Sequence, residues 1–274
     1  MEKQKNYKKF NKIIKDIKTI KIQGARNIAE SALKAYYLIP TKKSKKKLLS
    51  IRPTEPMLRN VLGKTGEYSC EKILGHFNET QNKINKNIFR IIKKNDIIFT
   101  HCHSTTVINS LIYAKKHNKK FEVYNTETRP LFQGRKTANE LRKAGIKVTM
   151  FVDSALGVAL SKKQKTKKVN KIFLGSDALL KKGIINKIGS GVICKIAKSE
   201  KIPVYILADS WKFSIKPVKL EQRNWKEIWK TKIKRVNLKI KNPAFEFVPK
   251  KFITGGIISE FGIMRYKSFI NKIN

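Results

Sequence analysis

The first third of the chain carries apolar residues at the spacing of amphipathic helices. Apolar side chains recur at steps of three or four over residues 13–20 and again over 28–36, which predicts two helices. The second helix is expected to end before Pro40, because proline biases the preceding residue away from helical geometry. No strand pattern precedes residue 96, so we expect a helical N-terminal domain over residues 1–94. Its further predicted helices are 43–50, a segment that begins at Met57 after the turn 52–56, and 67–93.

The pattern changes at Asn95, after which short apolar runs alternate with helical stretches. Strands that alternate with helices form βαβ units with a parallel sheet. The chain is therefore predicted to be an α/β protein, in which a Rossmann-like domain with a mainly parallel sheet spans residues 95–274. The segment between Trp211 and Pro249 gives no clear pattern. The predicted strands are 96–100, 121–124, 148–152, 171–174, 204–208 and 256–258, and the predicted helices are 105–116, 136–143, 153–161 and 184–198.

The chain is strongly basic, because its 274 residues include 62 Lys and Arg against 19 Asp and Glu, a formal net charge of +43. Such a field attracts phosphate-rich partners. Lysine, however, far outnumbers arginine and is abundant together with isoleucine and asparagine, as A+T-rich coding produces. The lysine clusters also lack interleaved aromatics. We therefore interpret most of the charge as compositional and expect nucleic-acid binding to be non-specific only.

Composition also bears on location. No apolar run approaches the roughly 18 residues that a membrane span needs, and the basic N-terminus has no apolar segment of the kind found in secretory signals. Three scattered cysteines, Cys70, Cys102 and Cys194, do not suggest a disulfide framework. These features predict a reducing, cytoplasmic location without a membrane partner.

Polar residues follow the ends of the first five predicted strands. The carboxyl ends of parallel strands lie at one edge of a sheet, and open α/β sheets bind their ligands there. We therefore expect the five segments to converge on one site, which is the residue-level argument for an enzyme. The segments are 100–104, 126–130, 153–155, 175–178 and 208–212.

Cys102 is the candidate with the most reactive side chain. A cysteine between a strand and a helix can have a lowered pKa and act as a base or nucleophile, although a buried cysteine that acts as a small apolar residue is the alternative. Asp177 is either an acid–base group or a helix or turn cap. His101 and His103 flank Cys102, but adjacent residues on an extended chain point in opposite directions, so we expect no metal. Neither GxGxxG nor GxxxxGK[ST] occurs, so neither a nicotinamide cofactor nor nucleotide hydrolysis is supported.

Five strings in order extend these observations: THCHS, TETRPLFQGRKTANEL, VDSA, GSDALLKKGIINKIG and NPAF. Together they resemble the archaeal ribose-1,5-bisphosphate isomerases, which belong with the methylthioribose-1-phosphate isomerases and the alpha, beta and delta subunits of translation initiation factor 2B. The resemblance covers about residues 20–265 and is densest over 96–213. It implies that Cys102 and Asp177 form a catalytic pair, in which a thiolate removes the C2 proton and a carboxylic acid protonates the ring oxygen.

The resemblance also implies contacts with phosphate and sugar. The family's Arg-Gly-Ala segment aligns with Gln23, Gly24 and Ala25, so Gln23 stands where an arginine would hold phosphate with two hydrogen bonds. Arg26 is the candidate to replace that arginine. The other implied substrate-binding residues are Arg52, Ser104, Thr105, Thr106, Arg129, Gln133, Asn186, Lys187 and Lys212.

The reaction implied by the resemblance converts ribose 1,5-bisphosphate to ribulose 1,5-bisphosphate in nucleotide (AMP) salvage. It implies no metal or redox cofactor, and a homo-oligomer that is a dimer or a dimer-based hexamer. Two alternatives stay open. A non-catalytic regulatory subunit related to initiation factor 2B is favoured by Gln23 and the high charge, but the presence of Cys102 and Asp177 argues against it. A methylthioribose-1-phosphate isomerase would need a pocket for a methylthio group in place of the second phosphate.

Overall fold

The computed structural model describes residues 1–52, 55–161, 164, 166–231 and 237–273. Two residues of the predicted turn 52–56, Pro53 and Thr54, lie outside this range. The helices are α1 (Glu2–Lys18), α2 (Ala25–Leu38), α3 (Lys42–Leu49), α4 (Pro56–Gly63), α5 (Cys70–Ile91), α6 (Thr105–Lys116), α7 (Gln133–Lys143), α8 (Leu156–Leu160), α9 (Ser190–Ser199) and α10 (Tyr266–Ile273). The strands are β1 (Asp96–Thr100), β2 (Phe121–Thr126), β3 (Lys147–Phe151), β4 (Lys171–Leu174), β5 (Ala178–Leu180), β6 (Gly183–Lys187), β7 (Val204–Leu207), β8 (Phe245–Pro249), β9 (Gly256–Ser259) and β10 (Gly262–Met264). Short 3₁₀ segments cover Lys64–Gly66, Asp153–Ala155, Ser210–Lys212, Trp225–Glu227 and Lys250–Phe252.

Helices α1 to α5 precede the first strand, as the spacing of apolar residues predicts. Their inward faces form two adjoining clusters, one around Ile17 and Leu48 and one around Leu33 and Phe77. Each such side chain contributes roughly 1.5–3 kcal/mol through burial. Among the described helices, none is both long and apolar enough to cross a membrane. The division into domains at residues 94 and 95 stays a prediction.

The main sheet has seven strands in the order β10-β9-β7-β4-β1-β2-β3. All neighbouring pairs are parallel except β9 and β10. Apolar clusters cover both faces, one around Phe99, Ile172 and Ile206 and one around Ile98 and Phe173. The predicted α/β class, with a helical part followed by a mainly parallel Rossmann-like sheet, is confirmed.

Strand β1 lies where the strand order reverses. The chain runs from β1 outward to β2 and β3 on one side and then returns to β4 on the other side. In doubly wound sheets a crevice opens at such a point, outside the carboxyl ends of the strands. Cys102 follows β1 and Asp177 follows β4, so the topology brings these two residues to the same crevice.

The predicted helix over 184–198 is wrong in its first part. Gly183–Lys187 is strand β6, and helix α9 begins only at Ser190. Strand β6 lies between β5 and β8 in a small antiparallel sheet. A short apolar run has no decisive periodicity, and the partner strand β8 comes much later in the chain, so local sequence does not show this pairing.

Helix α4 is tied to the segment that follows β7. The side-chain amide of Asn60 donates to the carbonyl oxygens of Trp211 and Phe213, at 2.7 and 2.9 Å. The His76 ring from α5 stacks on Trp211, with ring centroids 3.5 Å apart. The helical part therefore packs directly against the loop that carries Lys212.

Candidate active site

A cavity of about 520 Å³ lies at the crevice between β1 and β4. Helix α2 and the chain around Arg52 and Glu55 close its other side. The structure brings almost all of the predicted site residues to this cavity. Those that line it are Gln23, Gly24, Ala25, Arg26, Arg52, Cys102, Ser104, Thr105, Thr106, Gln133, Asp177, Asn186, Lys187 and Lys212.

Arg129 is the predicted site residue that does not line the cavity. Its exposed guanidinium donates to the carbonyl oxygen of Ile228 at 3.3 Å. Its backbone N–H, with that of Thr128, is held by the carboxylate of Asp153, at 2.6 and 3.0 Å. The polar residues after β2 and β3 are thus hydrogen-bonded to one another. They lie away from the crevice, because β3 is the edge strand of the sheet. The predicted convergence of all five segments holds for those after β1, β4 and β7, whereas after β2 the cavity receives Leu131 to Gln133.

Cys102 has an unusual backbone conformation for a residue with a side chain. Its φ is 65°, in the left-handed region. The conformation is held from both sides, because its N–H donates to Thr128 Oγ1 at 3.0 Å and its carbonyl oxygen accepts from Thr137 Oγ1 at 2.7 Å. The thiol is partly exposed to the cavity. Burial nevertheless raises its pKa to about 11, although the charges of Lys187 and Arg223 act in the opposite direction. The expectation of a lowered pKa is therefore wrong, because loss of solvent at the thiol outweighs the nearby cations.

The two histidines beside Cys102 hold the loop in place. His101 Nδ1 lies 2.6 Å from Thr126 Oγ1, and its Nε2 lies 2.8 Å from the carbonyl oxygen of Ile188. His103 Nδ1 lies 3.1 Å from Thr137 Oγ1. Burial lowers the pKa of both rings, that of His103 to about 4, so both are neutral near neutral pH.

A second group of titratable residues lies away from the cavity. Within the described part of the chain, one set of His, Asp and Glu side chains is close enough to share an ion, namely His76, Asp209 and Glu260. Hydrogen bonds account for these contacts: His76 Nε2 lies 3.1 Å from Asp209 Oδ1, which also accepts from the N–H of Trp211 at 2.8 Å. Glu260 accepts from the N–H of Ser210 at 3.3 Å. This group therefore organises the loop after β7.

Two of the carboxyl groups that line the cavity have a raised pKa, although the sequence suggests only one. Burial raises the pKa of Asp177, against the opposing charges of Lys212, Lys187 and Arg223. Glu55 is 6% exposed, and its Oε2 has no hydrogen-bond partner. Burial and the neighbouring Asp177 raise the pKa of Glu55 to about 8. Two neighbouring carboxyls in one cavity resist being ionised together, so the pair retains a proton near neutral pH.

Two buried lysines face the carboxyl groups from the sheet side. Lys212 Nζ donates to the carbonyl oxygen of Ser176 at 2.6 Å. Lys187, at the end of β6, is 3% exposed, and burial lowers the pKa of its amine. Its neighbour Asn186 donates to Ser190 Oγ at 2.9 Å and so supports the start of α9.

The N-terminus of α6 adds N–H donors to the same side. Ser104 is its cap residue and, with Thr105 and Thr106, lines the cavity. The close approach of Ser104 to the end of β4 requires a glycine at position 175, because a Cβ there would lie 2.5 Å from Ser104 Oγ. Unpaired N–H groups and the helix dipole make this an anion-binding position.

Three of the predicted phosphate-binding residues on the helical side, Gln23, Arg26 and Arg52, already have partners. The Gln23 amide donates to the carbonyl oxygen of Ile20 at 2.8 Å, and Arg26 Nε donates to Glu30 at 2.6 Å. Arg52 Nη1 lies 2.8 and 2.7 Å from the two oxygens of Glu221. The residues predicted from the family's phosphate motifs thus line the cavity with their charges largely neutralised.

Sequence reasoning missed Glu55, Glu221 and Arg223. Glu221 and Arg223 belong to the segment between Trp211 and Pro249, which carries no clear pattern. This segment pairs with the chain before β8, so that Arg223 lines the cavity and Glu221 pairs with Arg52 at its edge. Glu55 lies in a turn, where neither spacing nor composition indicates burial. The only signal that the sequence offers for these three residues is their charge in segments that have no amphipathic pattern.

The comparisons with known proteins agree with this architecture. The model of the initiation factor 2 subunit family matches residues 64–266, and the chain belongs to this family. It is similar to the ribose 1,5-bisphosphate isomerase of Methanocaldococcus jannaschii, with 34% identity over 280 residues that cover 90% of this chain and 89% of that protein. The ribose 1,5-bisphosphate isomerase of Archaeoglobus fulgidus is 30% identical over 277 residues, 90% of this chain and 86% of that protein. Among solved structures, translation initiation factor eIF-2B of Pyrococcus horikoshii OT3 has a TM-score of 0.80 at 24% identity, with 95% of this chain and 98% of that chain covered, a likeness in fold.

Proposed function

We propose that the chain is an isomerase that converts ribose 1,5-bisphosphate to ribulose 1,5-bisphosphate. The observation that carries this proposal is the cavity at the switch point, where one thiol, two carboxyls of raised pKa and two buried lysines meet. The names of the two archaeal relatives support the same reaction class. The set of side chains suits proton transfer at a sugar carbon beside phosphate.

The first half of the reaction opens the sugar ring. A sugar phosphorylated at C1 cannot open to a free aldehyde while that phosphate remains. Cys102 as thiolate takes the proton from C2, the C1–O bond to the ring oxygen breaks, and Asp177 as carboxylic acid gives its proton to that oxygen. The product of this half is an enol with a double bond between C1 and C2.

The second half returns both protons. The Cys102 thiol gives its proton to C1, and the Asp177 carboxylate takes the proton of the C2 hydroxyl, which leaves a ketone at C2. Atoms balance, and both residues end in their starting protonation states. Acid and base groups in such positions typically contribute on the order of 10²–10⁴-fold to a rate.

The charge of the cavity separates the bisphosphate from its nearest rival substrate. Lys187, Lys212 and the N-terminus of α6 offer cationic and N–H groups along one side. A bisphosphate uses two such places, whereas methylthioribose 1-phosphate would leave one buried cation without its anion, at a desolvation cost. The cavity therefore favours two phosphates.

The direct test is turnover by the purified protein. Ribose 1,5-bisphosphate is supplied and ribulose 1,5-bisphosphate is followed by phosphorus NMR, with methylthioribose 1-phosphate in a parallel reaction. We expect turnover of the bisphosphate and much slower turnover of the thioether. Faster turnover of the thioether would assign the other isomerase activity, and turnover of neither would favour a regulatory subunit.

The wider role and assembly are part of the proposal. The reaction would consume a sugar bisphosphate that arises in nucleotide (AMP) salvage. We also propose that the chain self-associates as a homo-oligomer, either a dimer or a dimer-based hexamer. Light scattering after size-exclusion chromatography tests the assembly, and a mass of one chain at micromolar concentration would contradict it.

A further inference from the structure

Arg223 lines the cavity and carries buried hydrogen-bond donors that are not used. Its side chain is 7% exposed, and two of its nitrogens, Nε and Nη1, make no hydrogen bond. The facing carboxylate oxygens are Glu221 Oε1, at 3.4 Å from Nε, and Glu227 Oε1, at 4.0 Å from Nη1. Buried donors without acceptors are costly, so this arrangement calls for an anion that completes it.

The backbone fixes where this guanidinium lies. Strand β6, which ends at Lys187, pairs with the start of β8. The chain just before β8 pairs in turn with the segment of Arg223, since the Arg223 N–H donates to the Asn242 carbonyl at 2.9 Å and the Ala244 N–H donates to the Glu221 carbonyl at 3.0 Å. Arg223 is thereby held one chain away from Lys187, in the lining of the same cavity.

The other arginines predicted to bind phosphate are less available. Arg26 uses all three guanidinium nitrogens, on Glu30, Asn78 and the Phe77 carbonyl. Arg52 Nη1 donates to both carboxylate oxygens of Glu221. Arg129 lies outside the cavity. Gln23 has no charge to offer. Among the described residues, Arg223 is therefore the cavity-lining arginine with the most unpaired donor nitrogens.

The charge of Arg223 acts on both members of the proposed catalytic pair. It favours the ionised forms of Cys102 and Asp177, against the effect of burial. In the proposed reaction Cys102 acts at C2 and Asp177 at the ring oxygen, and both atoms are bonded to C1. A cation that is near both residues therefore lies at the C1 end of the sugar.

We propose that Arg223 binds the phosphate group on C1 of the substrate. This assignment rests on the proposed function, which supplies the orientation of the sugar. Two guanidinium N–H groups donate to phosphate oxygens, and Glu221 remains paired with Arg52. Arg223 thus takes the place of the guanidinium that Gln23 lacks, from the opposite side of the cavity.

An arginine at this position also solves an electrostatic difficulty. A phosphate dianion beside Cys102 would disfavour the thiolate that the reaction needs. Burial lowers the pKa of Lys187, so its charge weakens as pH rises. A guanidinium stays charged throughout and offsets the phosphate at any working pH.

The test compares two monophosphates that differ only in position. Arg223→Met removes the donors at similar volume, Arg223→Lys keeps the charge without the fork, and Arg142→Met is the control on the exposed end of α7. Calorimetry measures ribose 1-phosphate and ribose 5-phosphate, and steady-state kinetics measure the bisphosphate. We expect Arg223→Met to weaken ribose 1-phosphate by about tenfold to hundredfold, Arg223→Lys by less, and Arg142→Met not at all.

The outcomes separate this assignment from the proposed reaction. Undiminished affinity for ribose 1-phosphate in Arg223→Met, or an equal loss for ribose 5-phosphate, would overturn the assignment, as would absence of ribose 1-phosphate binding by the wild type. Retained ribose 5-phosphate binding shows that the variant is folded. If the wild type does not isomerise the bisphosphate but the selective loss on ribose 1-phosphate is seen, the phosphate site stands and the proposed reaction fails.

Discussion

The two sides of the cavity use their charges differently. On the sheet side, Lys187 and Lys212 are buried, and the structure shows no ion pair to a carboxylate for either within the described residues. On the helical side, Arg26 is paired with Glu30 and Arg52 with Glu221. The sheet-side lysines can therefore bind a phosphate without breaking an ion pair, whereas Arg26 and Arg52 on the helical side would have to give up an ion pair first. The comparison teaches that a residue at a motif position is a ligand only if its neighbours leave it free.

The largest expected effect removes the base from the sheet side. Cys102→Ser should lower turnover of ribose 1,5-bisphosphate by about 10²–10⁴-fold, because a hydroxyl is a far weaker base than a thiolate. Binding should persist, since the cations around the residue are unchanged. Turnover is measured by phosphorus NMR and binding by ligand-induced thermal shift. Wild-type turnover in the variant would remove Cys102 from the mechanism.

The next effect removes a charge from the same side. Lys187→Ala and Lys212→Ala should each weaken bisphosphate binding by about tenfold to hundredfold, as expected for the loss of a charge-assisted hydrogen bond. Lys45→Ala is the control, because Lys45 lies on α3 and contacts Thr65 and Tyr36. Equal losses in all three variants, measured by calorimetry, would show that attraction is diffuse and that the sheet side has no special role.

A smaller effect comes from the proton held by Glu55 on the helical side. The raised pKa of about 8 means that Glu55 is neutral below that pH and anionic above it. Bisphosphate affinity should therefore fall as pH rises through about 8, by up to about tenfold per unit. Loss of the Lys187 proton acts in the same direction, so the test is the difference between the wild type and Glu55→Gln, whose side chain does not titrate. Superimposable calorimetric profiles between about pH 6.5 and about pH 9 would exclude Glu55 as the titrating group.

The smallest effect adds a charge where the family has one. Gln23→Arg places a guanidinium at an exposed position of the cavity lining, where the Gln23 side chain donates to the Ile20 carbonyl. Because the position is solvated, we expect KM to fall by only a few-fold, roughly as for other exposed charge pairs. Gln23→Met is the uncharged control. A decrease in KM of about tenfold or more would show that the helical side can contribute as much to binding as Lys187 or Lys212 on the sheet side.

The sequence predicts the parts of the molecule that depend on local pattern. The helices before residue 94, the strands that end at Thr100 and Leu174, and the meeting of Cys102 with Asp177 all follow from periodicity and the geometry of parallel sheets. Almost all of the site residues that the family motifs predict also line the cavity, although other lining residues are not predicted.

The remainder depends on pairing between distant segments. Strand β6 is a strand because β8 lies beside it, and Arg223 faces the cavity because Asn242 holds its backbone. The pKa of Cys102 depends on the balance between burial and two cations, which residue order does not reveal. Arg129 sits in a matching motif, yet Asp153 draws its backbone away from the cavity.

The Asn60 amide gives the two sides of the cavity a mechanical link. Because it is bonded to the backbone on both sides of Lys212, any tilt of α4 is transmitted to the lysine that faces Asp177. Widening the cavity by moving the helices away would have to break these two hydrogen bonds or drag Lys212 from the Ser176 carbonyl. Substrate entry that keeps all three bonds therefore leaves α4 and the Lys212 loop in place, and substitution of Asn60 with alanine would trade rigidity of the site for freedom of this loop.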